Sequence, residues 1–306
     1  MSLKRTQLLP SLAGVLWGTV FPALKLALGG FSPLEIALLR GLIGALSLGL
    51  VYSGLGRWEV FHLDRRAFPR LFILALAGAG AFWPIQTFSV ARSTSANAAF
   101  LVTTYPVLVT VLAPILLGEA LSREKAAGLV LALSGAYLVI SGGQVLGLFG
   151  SRTLLGDGLA LLASLCFAGY ILLNKRWSPG LKLSPETLSF YTFALALPPL
   201  LLAAGFSSAT SGWGQSAPTP VTWGAVLWLG IMATAGAFLA LNLGLKEAAV
   251  SRSVVHLLLI PLVATLLSYL LLGEEMTPAQ ITGGGLILVG ILASNWRSLA
   301  GKRKAS

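Results

Sequence analysis

Charge is scarce in this chain. Only 10% of its 306 residues are Asp, Glu, Lys or Arg, against about 25% in an ordinary soluble domain. Acidic side chains are the scarcer kind, 10 against 21 basic ones. There is one cysteine, Cys166, inside an apolar run, so no intramolecular disulfide or thiolate metal cluster is expected. The two histidines, His62 and His256, lie far apart, and no glycine-rich phosphate loop follows a strand. A membrane-embedded enzyme would need a reactive constellation of that sort, so neither catalysis nor a cofactor or metal is expected. The longest polar stretch, about Gly54 to Phe68, is too short to fold by itself, which argues against a receptor or scaffold with an extramembrane domain.

What the chain has is apolar surface: 56% of residues are hydrophobic and 35 are glycine. That is more than a soluble core can use, and small residues let helices approach closely in lipid. A helix crossing the hydrocarbon needs roughly 20 apolar residues. Ten such stretches are expected, at about residues 8–28, 33–53, 69–91, 96–117, 123–141, 156–174, 185–206, 221–243, 251–272 and 278–296. Start signals precede several of them: Ser32-Pro33, Ser95, Ser122, Ser184-Pro185 and Thr277-Pro278. Lys4 and Arg5 before an apolar run resemble a signal peptide, but the run continues through Pro22 and Lys25 to Leu28 without a clear cleavage site, so a retained first helix is expected. The fold class is therefore an all-α membrane protein of ten transmembrane helices.

Basic residues orient the bundle. Lys25 and Arg40 fall within spans, Arg92 and Arg152 on one side, and all the others on the opposite side. Lys and Arg mark cytoplasmic loops, so both termini are expected in the cytoplasm. The same topology accounts for the net charge of +11, leaving no reason to invoke nucleic acid.

The chain repeats itself. Tyr105-Pro106, Leu116-Leu117-Gly118-Glu119, Gly128 and Gly135 return as Ile260-Pro261, Leu271-Leu272-Gly273-Glu274, Gly283 and Gly290, each 155 positions on. Earlier, Ser32-Pro33 matches Ser184-Pro185 at 152 and Lys25 matches Lys175 at 150. The expected units are residues 1–145 and 146–306, each with five spans. An odd number inverts the second unit in the membrane, the architecture of many secondary transporters, whose substrate site lies between the halves near the bilayer midplane.

Leu16-Trp17-Gly18-Thr19-Val20-Phe21, Ser32-Pro33-Leu34-Glu35 leading to Leu39-Arg40, Ser95-Ala96-Asn97-Ala98-Ala99, Tyr105-Pro106 and the paired Leu-Leu-Gly-Glu segments resemble the ten-helix EamA family of the drug/metabolite transporter superfamily. The resemblance covers nearly the whole chain. It implies an inner-membrane carrier, often an exporter of amino acids or other metabolites, within a superfamily that also holds sugar-phosphate and nucleotide-sugar carriers.

Polar groups inside spans are costly and usually face a cavity. On the fourth span Asn97, Leu101, Thr104 and Leu108 share a face, and the repeat puts Arg252, His256, Leu259 and Val263 on the matching face of the ninth. Arg252 serves equally well as a cytoplasmic anchor; His256 is one turn deeper, where an anchor is less natural. Lys25 can snorkel to the interface, whereas Arg40 lies ~10 Å of helical rise beyond Pro33 and calls for a partner, with Glu35 the nearest carboxylate in sequence. Trp17, Trp83, Gln86, Tyr105, Tyr170 and Asn242 could wall a site for a partly apolar substrate. Pro22, Pro84, Pro106, Pro114, Pro198, Pro199 and Pro261 are expected to interrupt helices.

No carboxylate falls mid-span, which disfavours a permanent cation as cargo and favours a neutral, zwitterionic or anionic small molecule. His256 makes protons a candidate coupling ion; flow down a gradient is the equal alternative. Nothing in the sequence sets an oligomeric state. The orientation is checked by cysteine labelling: a cysteine replacing Ser211 should react with an impermeant thiol reagent added outside, and one replacing Ser306 should not, while swapped labelling overturns it.

Overall fold

The computed structural model describes residues 5–118, 123–143, 153–181, 183–211, 217–245, 258–294 and 296. Among them there is no strand. Eight helices are long and apolar enough to cross a membrane: α1 (Leu8–Ala27), α2 (Pro33–Gly54), α3 (Phe68–Arg92), α4 (Ser95–Leu117), α5 (Arg123–Ser141), α6 (Leu154–Trp177), α7 (Pro185–Thr210) and α8 (Pro220–Leu241). Two shorter apolar helices follow, α9 (Leu259–Leu272) and α10 (Pro278–Ala293). The expected start of the ninth span, residues 251–257, lies outside the described residues. Leu202 and Phe206 are 75% exposed and Ile115 78%. Such outward faces suit lipid tails as solvent and would aggregate in water.

Local chemistry sets the helix starts. Ser32 accepts from Glu35 N and its own N–H donates to Glu35 Oε2 at 2.7 Å, a capping box with Pro33 preset in the first turn. Ser184 caps α7 by accepting from Thr187 N at 3.1 Å, and Thr219 caps α8 in the same way through Thr222. Gly118 and Gly273, 155 positions apart, end α4 and α9 in the left-handed conformation that glycine adopts without steric cost.

Prolines break helices three residues upstream of themselves. The α-helical pattern lapses at Thr19 before Pro22, at residues 103–104 before Pro106 and at residues 195–196 before Pro198, because each ring lacks an N–H and crowds the carbonyl four residues back. Pro114 departs from expectation: it sits inside the unbroken helix Tyr105–Leu117. Two π-helical turns, Leu76–Ala81 in α3 and Ile231–Gly236 in α8, are again offset by 155. The second has no proline near it, so proline is not what the two wide turns have in common; both segments are rich in small residues.

The two halves run in opposite directions. Along α2 and α7, Glu35 meets Ser208, Gly41 meets Leu197, and Arg57, just past the end of α2, meets Glu186. Along α5 and α10, Gly128 faces Gly290 and Gly135 faces Gly283. In both cases numbers rise on one helix as they fall on its counterpart. Exchanging the halves also reproduces the packing: α3 packs on α6 as α8 packs on α1, α4 on α6 as α9 on α1, and α2 on α8 as α7 on α3.

The α5–α10 crossing is backbone against backbone, since a Cβ added at Gly283 would stand 2.6 Å from the Gly135 carbonyl oxygen and 2.9 Å from Leu138 Cβ. Gly283→Ala should therefore cost about 1–3 kcal/mol, read as a lower thermal midpoint of the purified protein in detergent. Gly285→Ala, where a Cβ meets nothing within 4 Å, is the control and should change little.

Candidate functional site

A cavity lies where the halves meet, its empty space about 530 Å³ with the open mouth included. Helix α1 contributes Trp17, Val20 and Phe21, α2 contributes Arg40, and α3 contributes Gly78, Phe82, Trp83 and Gln86. The rest of the wall is Val102, Thr103 and Tyr105 of α4, Phe167 of α6, Phe238 of α8 and Ile260 of α9. Both π turns are beside it: Gly78 lies in the first, and Thr234, in the second, holds Arg40. Wide turns of this kind recur at functional sites because they re-aim side chains and free backbone groups.

Arg40 is 3% exposed. Its Nε donates to Thr234 Oγ1 at 2.8 Å, its Nη1 donates to Gln86 Oε1 at 3.1 Å, and its guanidinium carbon stands 4.8 Å from the centroid of the Trp83 ring. Close approach of α2 and α8 makes this reach possible, since a Cβ at Gly44 would stand 2.9 Å from Thr234 Cγ2. Among the described residues no carboxylate lies within 4 Å of the guanidinium. Glu35, its nearest acidic neighbour in sequence, faces elsewhere, accepting from Ser32 N and from the Ser208 hydroxyl at 3.2 Å. A buried cation held only by neutral groups carries an uncompensated desolvation cost of several kcal/mol.

The aromatic wall is built of two groups of touching rings. Phe167 stacks on Phe82 and meets Tyr105 edge-on, both at 4.8 Å between centroids, while Phe238 meets Trp17 at 5.5 Å. The repeat offsets pair these positions across the cavity: Trp17 with Phe167 at 150, and Trp83 with Phe238 and Tyr105 with Ile260 at 155. The polar members have no such mates. Arg40, Gln86 and Thr103 correspond to Thr192, Leu241 and Leu258.

The structure thus brings Trp17, Arg40, Trp83, Gln86 and Tyr105 together. Tyr170 lies one layer behind them, against Gly78 and Phe167. Asn97 is elsewhere, in a polar cluster at one end of the bundle, where its Oδ1 accepts from Gln280 Nε2 at 2.9 Å. Asn242 lies on the helix Ala237–Leu245, but its side chain, like Arg252 and His256 entirely, is outside the described residues. Reading single residues missed Phe21, Phe82, Thr103, Phe167, Phe238, Ile260 and Thr234. The 150 and 155 offsets applied to Trp17, Trp83 and Tyr105 carry the signal for Phe167, Phe238 and Ile260; nothing in sequence marks Thr234.

The end that holds Asn97 is latched across the repeat. Both oxygens of Glu274, just past α9, accept from the first amides of α4, Ser95 N at 3.0 Å and Ala96 N at 3.2 Å, and Thr94 accepts from Asn97 N. A carboxylate at a helix N-terminus fills orphan donors and meets the positive end of the dipole. Lys25 does not snorkel: its Nζ donates to Val90 O at 3.0 Å, in the last turn of α3, and to Ser93 O at 2.7 Å, just past its end. Asp157 is buried beside them, accepting from the Ser93 hydroxyl and, at 2.8 Å, from Thr153. At the opposite end, Arg57 bridges Glu59 at 2.9 Å and Glu186 at 3.1 Å, and its guanidinium holds the exposed Glu59 carboxyl below the ordinary range through their hydrogen bond.

If the Glu274 latch closes one end of the cavity, Glu274→Ala removes a cap worth ~1 kcal/mol and should open that end about fivefold more often. In a Cys166→Ser background, a cysteine at Thr103 should label correspondingly faster with an impermeant reagent from that side. An unchanged rate would show that the latch is not part of a gate.

The profile of the EamA-like transporter family matches residues 5–141 and 154–296, once in each half. An uncharacterized transporter of Archaeoglobus fulgidus is 28% identical over 94% of this chain and 96% of its own length. A protein of Streptantibioticus cattleyicolor named a probable terminal-alkyne amino-acid exporter is 26% identical over 95% of this chain and 94% of its own. One solved crystal structure, 20% identical, covers 100% of both chains with a TM-score of 0.66, which speaks for the fold. This chain, an inverted pair of five-helix halves, each matched separately and together walling a cavity, belongs to the EamA-like transporter family.

Proposed function

We infer that the chain is a secondary carrier that moves a small polar metabolite, an amino acid or a related neutral, zwitterionic or anionic compound, across the inner membrane by alternating access, and that it works as an exporter. The units are residues 1–145 and 146–306, with both termini in the cytoplasm. The carrying observation is the position of the cavity: it is walled by helices of both oppositely directed halves, with Arg40 of one half bonded to Thr234 of the other. A site on such a pseudo-twofold junction can be exposed to either side by exchanging the conformations of the halves.

Trp17, Arg40, Trp83, Gln86 and Tyr105 would contact the cargo, and Arg252 and His256, outside the described residues, would complete the site from the ninth span expected from sequence. The Streptantibioticus relative, named for an amino acid, supports this cargo class. Polar side chains in the spans serve binding and latching in this reading, and no group is assigned a reaction. Protons remain the candidate coupling ion.

Reconstituted protein should show saturable counterflow of an amino acid or organic acid above protein-free liposomes. His256→Ala and Arg252→Ala should each lower that flux at least about fivefold, ~1 kcal/mol of lost interaction, at unchanged protein yield. Undiminished flux in both would remove them from the site, and no saturable flux of any such solute would overturn the carrier.

A further inference from the structure

The cavity is polarised. Among the described residues its charged and hydrogen-bonding groups, Trp17, Arg40, Gln86, Thr103 and Tyr105, all come from the first half, and the positions in the second that match Arg40, Gln86 and Tyr105 are Thr192, Leu241 and Ile260. The described part of the opposite wall is apolar and aromatic, with Phe167, Phe238 and Ile260. The two poles of one small cavity therefore ask for two ends of one molecule.

The free groups at the polar pole can all donate. Arg40 carries five N–H groups and makes two hydrogen bonds, one from Nε and one from Nη1. Its Nη2, the Gln86 amide nitrogen and the Tyr105 hydroxyl have no partner among the described residues, and none is sealed from the cavity as a fully enclosed unpaired atom. A guanidinium edge with free N–H groups matches a carboxylate, which accepts through two oxygens at once.

An α-ammonium finds nothing comparable. No carboxylate lines the cavity among the described residues, so an ammonium would meet only neutral groups. On an α-amino acid it would also sit next to the bound carboxylate, within range of repulsion from the Arg40 guanidinium in a low-dielectric setting.

We propose that this cavity selects amphipathic monocarboxylates of net charge −1, with the carboxylate on Arg40 and an aromatic or similarly sized apolar body against Phe167 and Phe238, and that an α-ammonium group weakens binding. The proposal rests on the carrier reading and sharpens its cargo to organic acids, or amino acids whose nitrogen is uncharged.

The test uses four probes of one shape on the purified full-length protein: 3-phenylpropanoate, L-phenylalanine, 3-phenylpropanamide and 2-phenylethylamine. Thermal stabilisation should be strongest with 3-phenylpropanoate, weaker by at least tenfold in apparent Kd with L-phenylalanine, and absent with the amide and the amine. Arg40→Gln should abolish the preference for the carboxylate, and Phe167→Leu should weaken 3-phenylpropanoate while keeping that preference. The ranking of probes on the unaltered chain stands even if Arg40→Gln fails to fold. Equal stabilisation by the amine or amide, tighter binding of L-phenylalanine, an Arg40→Gln protein that binds 3-phenylpropanoate normally, or no binding by any probe would each overturn the proposal. Binding with the expected ranking but no saturable flux of labelled 3-phenylpropanoate into proteoliposomes would uphold the anion site and overturn the carrier.

Discussion

A guanidinium enclosed by neutral groups is the constraint around which this bundle is arranged. Arg40 cannot reach bulk water, so its charge must be answered locally, and the hydroxyl of Thr234, the amide of Gln86 and the face of Trp83 answer it in part. The contact with Thr234 depends on two features of the backbone. Thr234 is presented by a wide helical turn, and Gly44 lets α2 come near enough to reach it. The contact also joins the two halves, so the groups that form the polar end of the cavity hold the interface together. Leaving the charge incompletely matched is tolerable only because the neighbouring space can admit an anion or water.

The helices themselves are governed by a different constraint, the need to satisfy every backbone group in a medium without water. Apolar length and start signals were therefore legible: Ser32-Pro33, Ser184-Pro185 and the left-handed Gly118 and Gly273 act through local chemistry that a sequence displays. The duplication was legible for the same reason, since residues with a fixed backbone duty keep their spacing. The π turns were not, because a stretch of alanine, glycine and larger apolar residues is compatible with either winding and only packing selects between them.

Side-chain assignments fared differently according to what each depends on. Arg40 stood out because a charge deep in a span must be explained, but its partner Thr234 is 194 positions away and unremarkable in composition. Asn97 and Lys25 have the same sequence signature as a cavity residue and a snorkelling one, respectively, yet both spend their hydrogen bonds fastening helix ends. Glu35, the obvious counter-charge by proximity, is taken by the start of its own helix. A single polar residue in a span states that a partner exists; the fold alone says which one.

The lack of a twin for Arg40 has a consequence for how such a machine would cycle. In a strictly duplicated pair, trading the shapes of the halves would offer cargo two equivalent docking points and oblige it to hop or turn between them. With Thr192 at the corresponding place, the anchor would travel on one helix throughout, so a bound anion would keep its orientation and never shed its counter-charge while the opening moved from one face of the membrane to the other.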